Sequence, residues 1–328
     1  MTVCGGKSAR GATAAARAWP LYRGAACQLA GGTGATAAAA GRPPRHAQSC
    51  GIDGETVGRG GPSAPQPRSG RKAVIAHVAP FLLWIFFILV FLVCDKLGSP
   101  LPRSWTAPAY ALKSVICAAL LLCFRPWRYY RPQLLTQTLS TQTLSNFVLG
   151  ILAGLFVAVL WIFPEMPWTF IHAKGFASFY NNWFIMPVGA YPDYFRPDVF
   201  PALPPLHPSL AYAPEECGWT MTVAKLLGSA FVIAAAEELF FRGFLYRWLL
   251  KSDFLAIPLV KYDAQVFWTV VAVFGLEHDR WLAGMMAGAV YGWLVLRTGR
   301  LMPSVVAHAV TNLILGLYVI VSHQYGFW

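Results

Sequence analysis

The chain has 328 residues, 56% of them hydrophobic and only 12% charged, with a formal net charge of +12. That is too apolar for an ordinary soluble domain and fits a polytopic membrane protein. The positive charge would suit a nucleic-acid partner if it were spread over a folded domain, but residues 1–72 hold ten Lys/Arg and two acids, leaving a net +4 for the remainder. A basic tail and basic loop ends account for that distribution, so no nucleic-acid partner is expected.

Residues 1–72 are mostly Ala, Gly, Arg, Pro and Ser, without periodic large aliphatics. Such a segment cannot bury enough apolar surface to offset its chain entropy, and a disordered tail is expected. It has no apolar stretch of the secretory-signal kind. Its composition faintly resembles an organelle transit peptide. A start codon set too far upstream in a GC-rich bacterial gene gives the same composition and is the preferred reading. The seven cysteines (4, 27, 50, 94, 117, 123 and 217) form no C-x-x-C pair, and three lie in apolar spans. They imply no disulfide framework.

Residues 73–328 read as an all-α, polytopic transmembrane helix bundle of seven or eight spans. Val74 to Val93 is a nearly unbroken apolar run, long enough to cross a bilayer. A second span runs from about Trp105 to Phe124, with Lys113 able to snorkel, and a third covers Phe147 to Phe163. The aromatic stretch containing Trp168, Phe170, Phe176, Phe179, Tyr180, Trp183 and Phe184 predicts an interfacial helix, and the prolines of 192–208 predict a loop. A short or re-entrant eighth helix has room within 164–218. The fourth span starts near Trp219, the fifth covers Ala264–Glu277, the sixth Trp281–Leu296 and the seventh Pro303–Val321. In the sixth, Gly284, Gly288 and Gly292 recur at every fourth place, a spacing that lets another helix approach closely.

Lys/Arg counting sets the orientation. Arg68, Arg71 and Lys72, then Arg125, Arg128 and Arg131, then Arg247, Lys251 and Lys261, then Arg297 and Arg300 fall on one side, which makes the amino-terminal side cytoplasmic.

The last third of the chain places polar groups where they are costly. In AAAEELFFRGFLYRWLL (234–250), Glu238 and Arg242 are four apart and share a helix face, while Glu237 lies about 100° around. His278 closes the fifth span, and His308 and Asn312 are four apart in the seventh. Taken singly, each has a structural reading, as an ion pair or a helix-bridging amide, and His77, His172, His207 and His323 are read as packing residues. Two carboxylates, an arginine, two histidines and an amide on three spans each carry a desolvation cost, and together they imply a shared buried site.

EELFFR at 237–242, FGLEH at 274–278 and HAVTN at 308–312 resemble the EExxxR, FxxxH and HxxxN motifs of the CAAX prenyl protease and bacteriocin-processing (CPBP, or ABI) family of intramembrane endopeptidases. The resemblance covers roughly 219–321, the expected catalytic core. More weakly, LMPSVVAHAVTNLILGLYV and the region around LWIFPE resemble the bacterial subgroup associated with exosortase and PEP-CTERM sorting. The resemblance implies that Glu237 and His278 hold and activate water, that Glu238 paired with Arg242 orients the site, and that His308 and Asn312 stabilise the oxyanion. It also implies a lipid environment, a peptide or protein substrate near the membrane, and a bacterial inner membrane. No Ser or Cys is placed as a nucleophile, so water attack is expected. Zinc is chemically open to two Glu and two His, but the HExxH spacing is missing, and hydrolysis without a cofactor is preferred. Two rivals stand beside this reading: a non-catalytic membrane protein of the same fold, acting in immunity or as a scaffold, and a proton-coupled transporter. The transporter predicts an internal hydropathy repeat, and none is seen between the two halves.

Overall fold

The computed structural model describes residues 70–98, 102–130, 141–185 and 208–328. Most of the expected tail, His207 and most of the proline-rich loop fall outside the described residues. Within them the chain is helical and contains no strand. In order the helices are α1 (Arg71–Lys96), α2 (Thr106–Phe124), α3 (Thr141–Ile162), the short α4 (Pro167–His172) and α5 (Lys174–Phe184), α6 (Pro214–Leu250), α7 (Ala264–Leu276), α8 (Trp281–Thr298) and α9 (Met302–Ser322).

Five of these, α1, α2, α3, α6 and α9, are long and apolar enough to cross a membrane. The other two expected spans form a helical hairpin. At 1.5 Å per residue the 13 residues of α7 reach about 20 Å, short of a hydrocarbon core about 30 Å thick. The 18 residues of α8 reach about 27 Å. The boundaries expected from hydropathy hold to a few residues, with two differences of physical origin. Helix α3 starts six residues before its apolar run, because its first turns are the polar Thr-Gln-Thr-Leu-Ser-Asn. Helix α1 starts at Arg71, inside the segment assigned to the tail.

Large apolar side chains point outward along the long helices, among them Leu82, Phe86, Val115, Leu122, Leu152 and Val159. A surface of this kind suits acyl chains and not water. The aromatic stretch expected to form an interfacial helix folds as two short helices. The backbone breaks at Ala173 between α4 and α5, which expose Trp168, Phe176, Phe179 and Trp183 while burying Ala177 and Tyr180.

Side-chain contacts join the helix ends in two sets. At one end, His77 of α1 meets the Tyr130 hydroxyl at 2.9 Å, and Tyr130 donates to the Gly243 carbonyl of α6 at 3.3 Å. Burial pushes the Tyr130 phenol up to about 12, so it stays a donor. Arg247 adds bonds to the carbonyls of Gly243, Leu255 and Ile257. At the other end, Arg280 grips Glu165 through Nε at 2.5 Å and Nη2 at 2.7 Å, and Arg103 pairs with Glu216 at 3.5 Å. Arg125, Arg128 and Arg247, three of the basic residues used to orient the chain, lie at this first end.

Helix α6 is interrupted at Gly218, whose φ of 79° suits glycine and starts the long helix at Trp219. Two π-helical stretches follow, Gly228–Ile233 and Leu239–Leu245. The second contains Gly243, where a Cβ would lie 2.7 Å from the Tyr130 hydroxyl. Small residues set the other close approaches as well. Gly284 and Gly288 of α8 admit Gly275 and Phe274 of α7, as the four-residue glycine spacing implied. On α3, a Cβ at Gly150 would sit 2.7 Å from the Pro303 carbonyl oxygen of α9.

That last contact is with backbone, which cannot rotate away. Gly150→Val should therefore separate α3 from α9 and cost about 1–3 kcal/mol. The expected result is a lowered thermal midpoint in detergent, and an unchanged midpoint would contradict the close packing.

Candidate active site

The site is built outward from Glu238, which is fully buried in α6. One carboxylate oxygen accepts from Arg242 Nη1 at 2.8 Å and faces His308 Nδ1 at 3.1 Å. The other accepts from the Ser304 hydroxyl of α9. Arg242 also donates to the Gly288 carbonyl of α8 at 3.0 Å, and its guanidinium lies 4.3 Å above the Phe274 ring of α7. One ion pair thus touches four helices, and both carboxylate oxygens and both terminal guanidinium nitrogens find partners. This is the condition under which a buried pair is tolerated.

Glu237 is in a different position. One step around the helix from Glu238, it is 6% exposed and lines a chamber of about 230 Å³ with Glu277, His278, His308 and Asn312. Its Oε2 is buried without a hydrogen-bond partner, the His308 Nε2 being 3.6 Å away. A buried carboxylate oxygen out of direct reach of a donor still lacks a partner, and a water entering from the chamber is one group that could supply it.

The histidines are oriented by what their other nitrogens do. His278 Nδ1 lies 2.8 Å from the Phe274 carbonyl, an acceptor only, so this nitrogen carries the proton and Nε2 of the neutral ring is a free base. The ring is steadied edge-on against Trp161, with centroids 5.3 Å apart. His308 stacks on Tyr291 at 4.9 Å and stands between the two glutamates, its Nδ1 toward Glu238 and its Nε2 toward Glu237. Tyr291 in turn donates to Thr311 at 2.7 Å, and Thr311 to the Gly154 carbonyl of α3 at 2.9 Å. Asn312 gives one amide N–H to the Ser229 carbonyl at 2.9 Å, which fixes its plane and leaves a second N–H.

All six residues singled out from the sequence therefore meet. Glu237, His278, His308 and Asn312 line the chamber, while Glu238 and Arg242 stand behind it. His77 and His172 lie apart, bonded to the carbonyls of Ala73 and Trp168 as packing residues. The sequence reading missed Glu277, which lines the same chamber and has a buried Oε2 without a hydrogen-bond partner. Its signal was a carboxylate directly before His278 in an apolar run, masked by its assignment as the last residue of a span. Ser304 and Tyr291 were also missed, because a hydroxyl in an apolar helix carries no distinguishing pattern. As for a metal, no three His, Cys, Asp or Glu side chains converge tightly enough to hold an ion among the described residues. Glu238 is moreover committed to Arg242, Ser304 and His308.

Arg242→Ala should leave Glu238 buried without its counter-charge and cost about 3–5 kcal/mol. The double variant Glu238→Leu, Arg242→Leu removes both charges and should recover most of that loss without recovering function. Thermal unfolding in detergent reads both, and a double variant no more stable than the single one would contradict this view of the pair.

Residues 219–314 match the family model described as type II CAAX prenyl endopeptidase Rce1-like. No curated protein and no solved structure matches the chain. The matched segment starts directly after the Gly218 break and ends at Ile314 of α9, so it contains all six site residues. Over 219–314 this helical chain is therefore similar to the Rce1-like family, described as type II CAAX prenyl endopeptidase.

Proposed function

We propose that the chain is an intramembrane endopeptidase in which water, activated at Glu237 and His278, attacks a peptide carbonyl. The observation that carries this reading is the contrast between the adjacent glutamates. Glu238 has every oxygen engaged, whereas Glu237 lines the chamber shared with His278 and has a buried oxygen without a hydrogen-bond partner. The water oxygen bonds to the carbonyl carbon and its proton passes to Glu237 or His278. The tetrahedral oxyanion is met by the second N–H of Asn312 and, in the protonated ring, by the Nε2–H of His308, whose Nδ1–H is held by Glu238. Collapse breaks the C–N bond, and the proton is delivered to the departing amine, with Glu277 as a second carboxyl in reach of the chamber. Glu238 and Arg242 touch no reacting atom in this scheme and hold His308 in place. No step is routed through a metal.

The finer features belong to the same proposal. The catalytic core lies within a membrane domain covering 73–328, preceded by the tail 1–72. The membrane is a bacterial inner membrane with the amino-terminal side cytoplasmic, as the basic residues near one end of the bundle support. The substrate is a peptide or protein precursor, a sorting signal of the exosortase kind being one candidate.

Glu237→Ala should reduce turnover by at least about 10²-fold, the lower range for loss of a general base. Mass spectrometry of membranes from a strain carrying the variant should then show an uncleaved precursor absent from the parent. Coincident proteomes would favour the non-catalytic alternative.

A further inference from the structure

A second cavity, of about 200 Å³, lies between α3, α6 and α9, and the proposed hydrolysis does not use it. Ala235 and Leu239 line it, each two residues from Glu237 and so about 200° around α6, on the side turned away from the chamber. Tyr130 lines it as well, which sets the cavity at the basic end of the bundle. Phe147 and Met302, also in its wall, are nearly half exposed, so the cavity opens on the apolar outer surface.

The wall is almost wholly apolar, and no acidic residue among those described lines it. Two side chains break the pattern. Arg300 lines the cavity and donates to the Thr143 hydroxyl at 3.5 Å. Asn146, three residues after Thr143 and so on the same face of α3, is buried. Its Oδ1 accepts from Gln142 at 3.1 Å, while its amide N–H groups donate to nothing among the described residues. A buried amide in an apolar wall is costly unless something accepts from it. Arg297, three residues before Arg300, and Arg128, beside the lining Trp127, are exposed and add positive charge at this end.

An apolar slot open to lipid, with donors and positive charge gathered at head-group level, suits an amphiphile with an apolar chain and an acceptor-rich anionic head. A peptide strand suits it poorly, because most of its backbone N–H and C=O groups would meet apolar walls. We propose that the cavity is a binding site for one anionic phospholipid of the surrounding bilayer, with an acyl chain between α3, α6 and α9 and the phosphate at Arg300 and Asn146. The chain would press on Leu239, Pro303 and Val305, the sequence neighbours of Glu238 and Ser304, whose hydrogen bond joins α6 to α9. Occupancy should therefore stabilise the contact on which the ion pair depends. The site stands whether or not the chamber hydrolyses peptides.

The test uses the full-length chain, purified and delipidated in detergent, with phosphatidylglycerol or phosphatidylcholine of identical acyl chains. Native mass spectrometry should show one phosphatidylglycerol retained per chain, favoured about fivefold or more over phosphatidylcholine, and the thermal midpoint should rise more with the anionic lipid. Arg300→Gln should bring that preference close to one, and Arg300→Lys should keep most of it. Ala235→Leu, which fills the slot, should remove the retained lipid. Equal retention of the two lipids by the parent, or a preference that survives both Arg300→Gln and Ala235→Leu, overturns the site. A second measurement needs no variant. Phosphatidylglycerol carrying a diazirine near the end of one acyl chain, in vesicles holding the parent chain, should crosslink at Leu239 or Val305. Crosslinks confined to outward residues such as Leu82, Phe86 and Val115 would overturn the site.

Discussion

The buried ion pair between Glu238 and Arg242 is the constraint on which the rest of the bundle depends. Two charges inside an apolar helix are expensive unless every donor and acceptor is met. Meeting them requires the Gly288 carbonyl, Ser304, His308 and the face of Phe274, which lie on three other helices. The pair therefore fixes where α7, α8 and α9 stand relative to α6. It also separates two chemically identical neighbours, because the helix turns by about 100° per residue. Glu238 faces the crowded interior, and Glu237 faces the chamber.

Small residues make that arrangement possible. Gly288 lets Phe274 and the Arg242 guanidinium come close, and Gly150 and Gly154 let α3 lie against the backbone of α9. The short connection carrying Glu277 and His278 is tied down by Arg280, which grips Glu165, packs its guanidinium against the Phe327 ring and donates to the Gly326 carbonyl. The reactive groups are thus mounted on helices and on one anchored turn, which is the kind of support that keeps a site within catalytic tolerance.

Much of this was legible in the sequence because lipid makes the signals strong. Apolar runs gave the helices, and the cost of a charge in such a run drew attention to Glu237, Glu238, Arg242, His278, His308 and Asn312. Hydropathy placed α7 to within one residue, Ala264–Glu277 against Ala264–Leu276, but counting it as a span overlooked that 13 helical residues fall short of a bilayer core. Nor could it separate the roles of adjacent glutamates beyond their angular offset. That distinction comes from Ser304 and His308, which approach from another helix 66 and 70 residues away in sequence. Glu277 was missed for a related reason. It looks like an ordinary polar residue near a span end until the fold turns it toward the chamber.

The most direct measurement is an experimental map of the full chain in a lipid environment, at a resolution that shows ordered water. The expected result is a water within about 2.6–3.2 Å of the free Glu237 oxygen and in reach of His278 Nε2. A chamber closed by side chains or filled by an acyl chain, with Glu237 turned to lipid, would contradict the account.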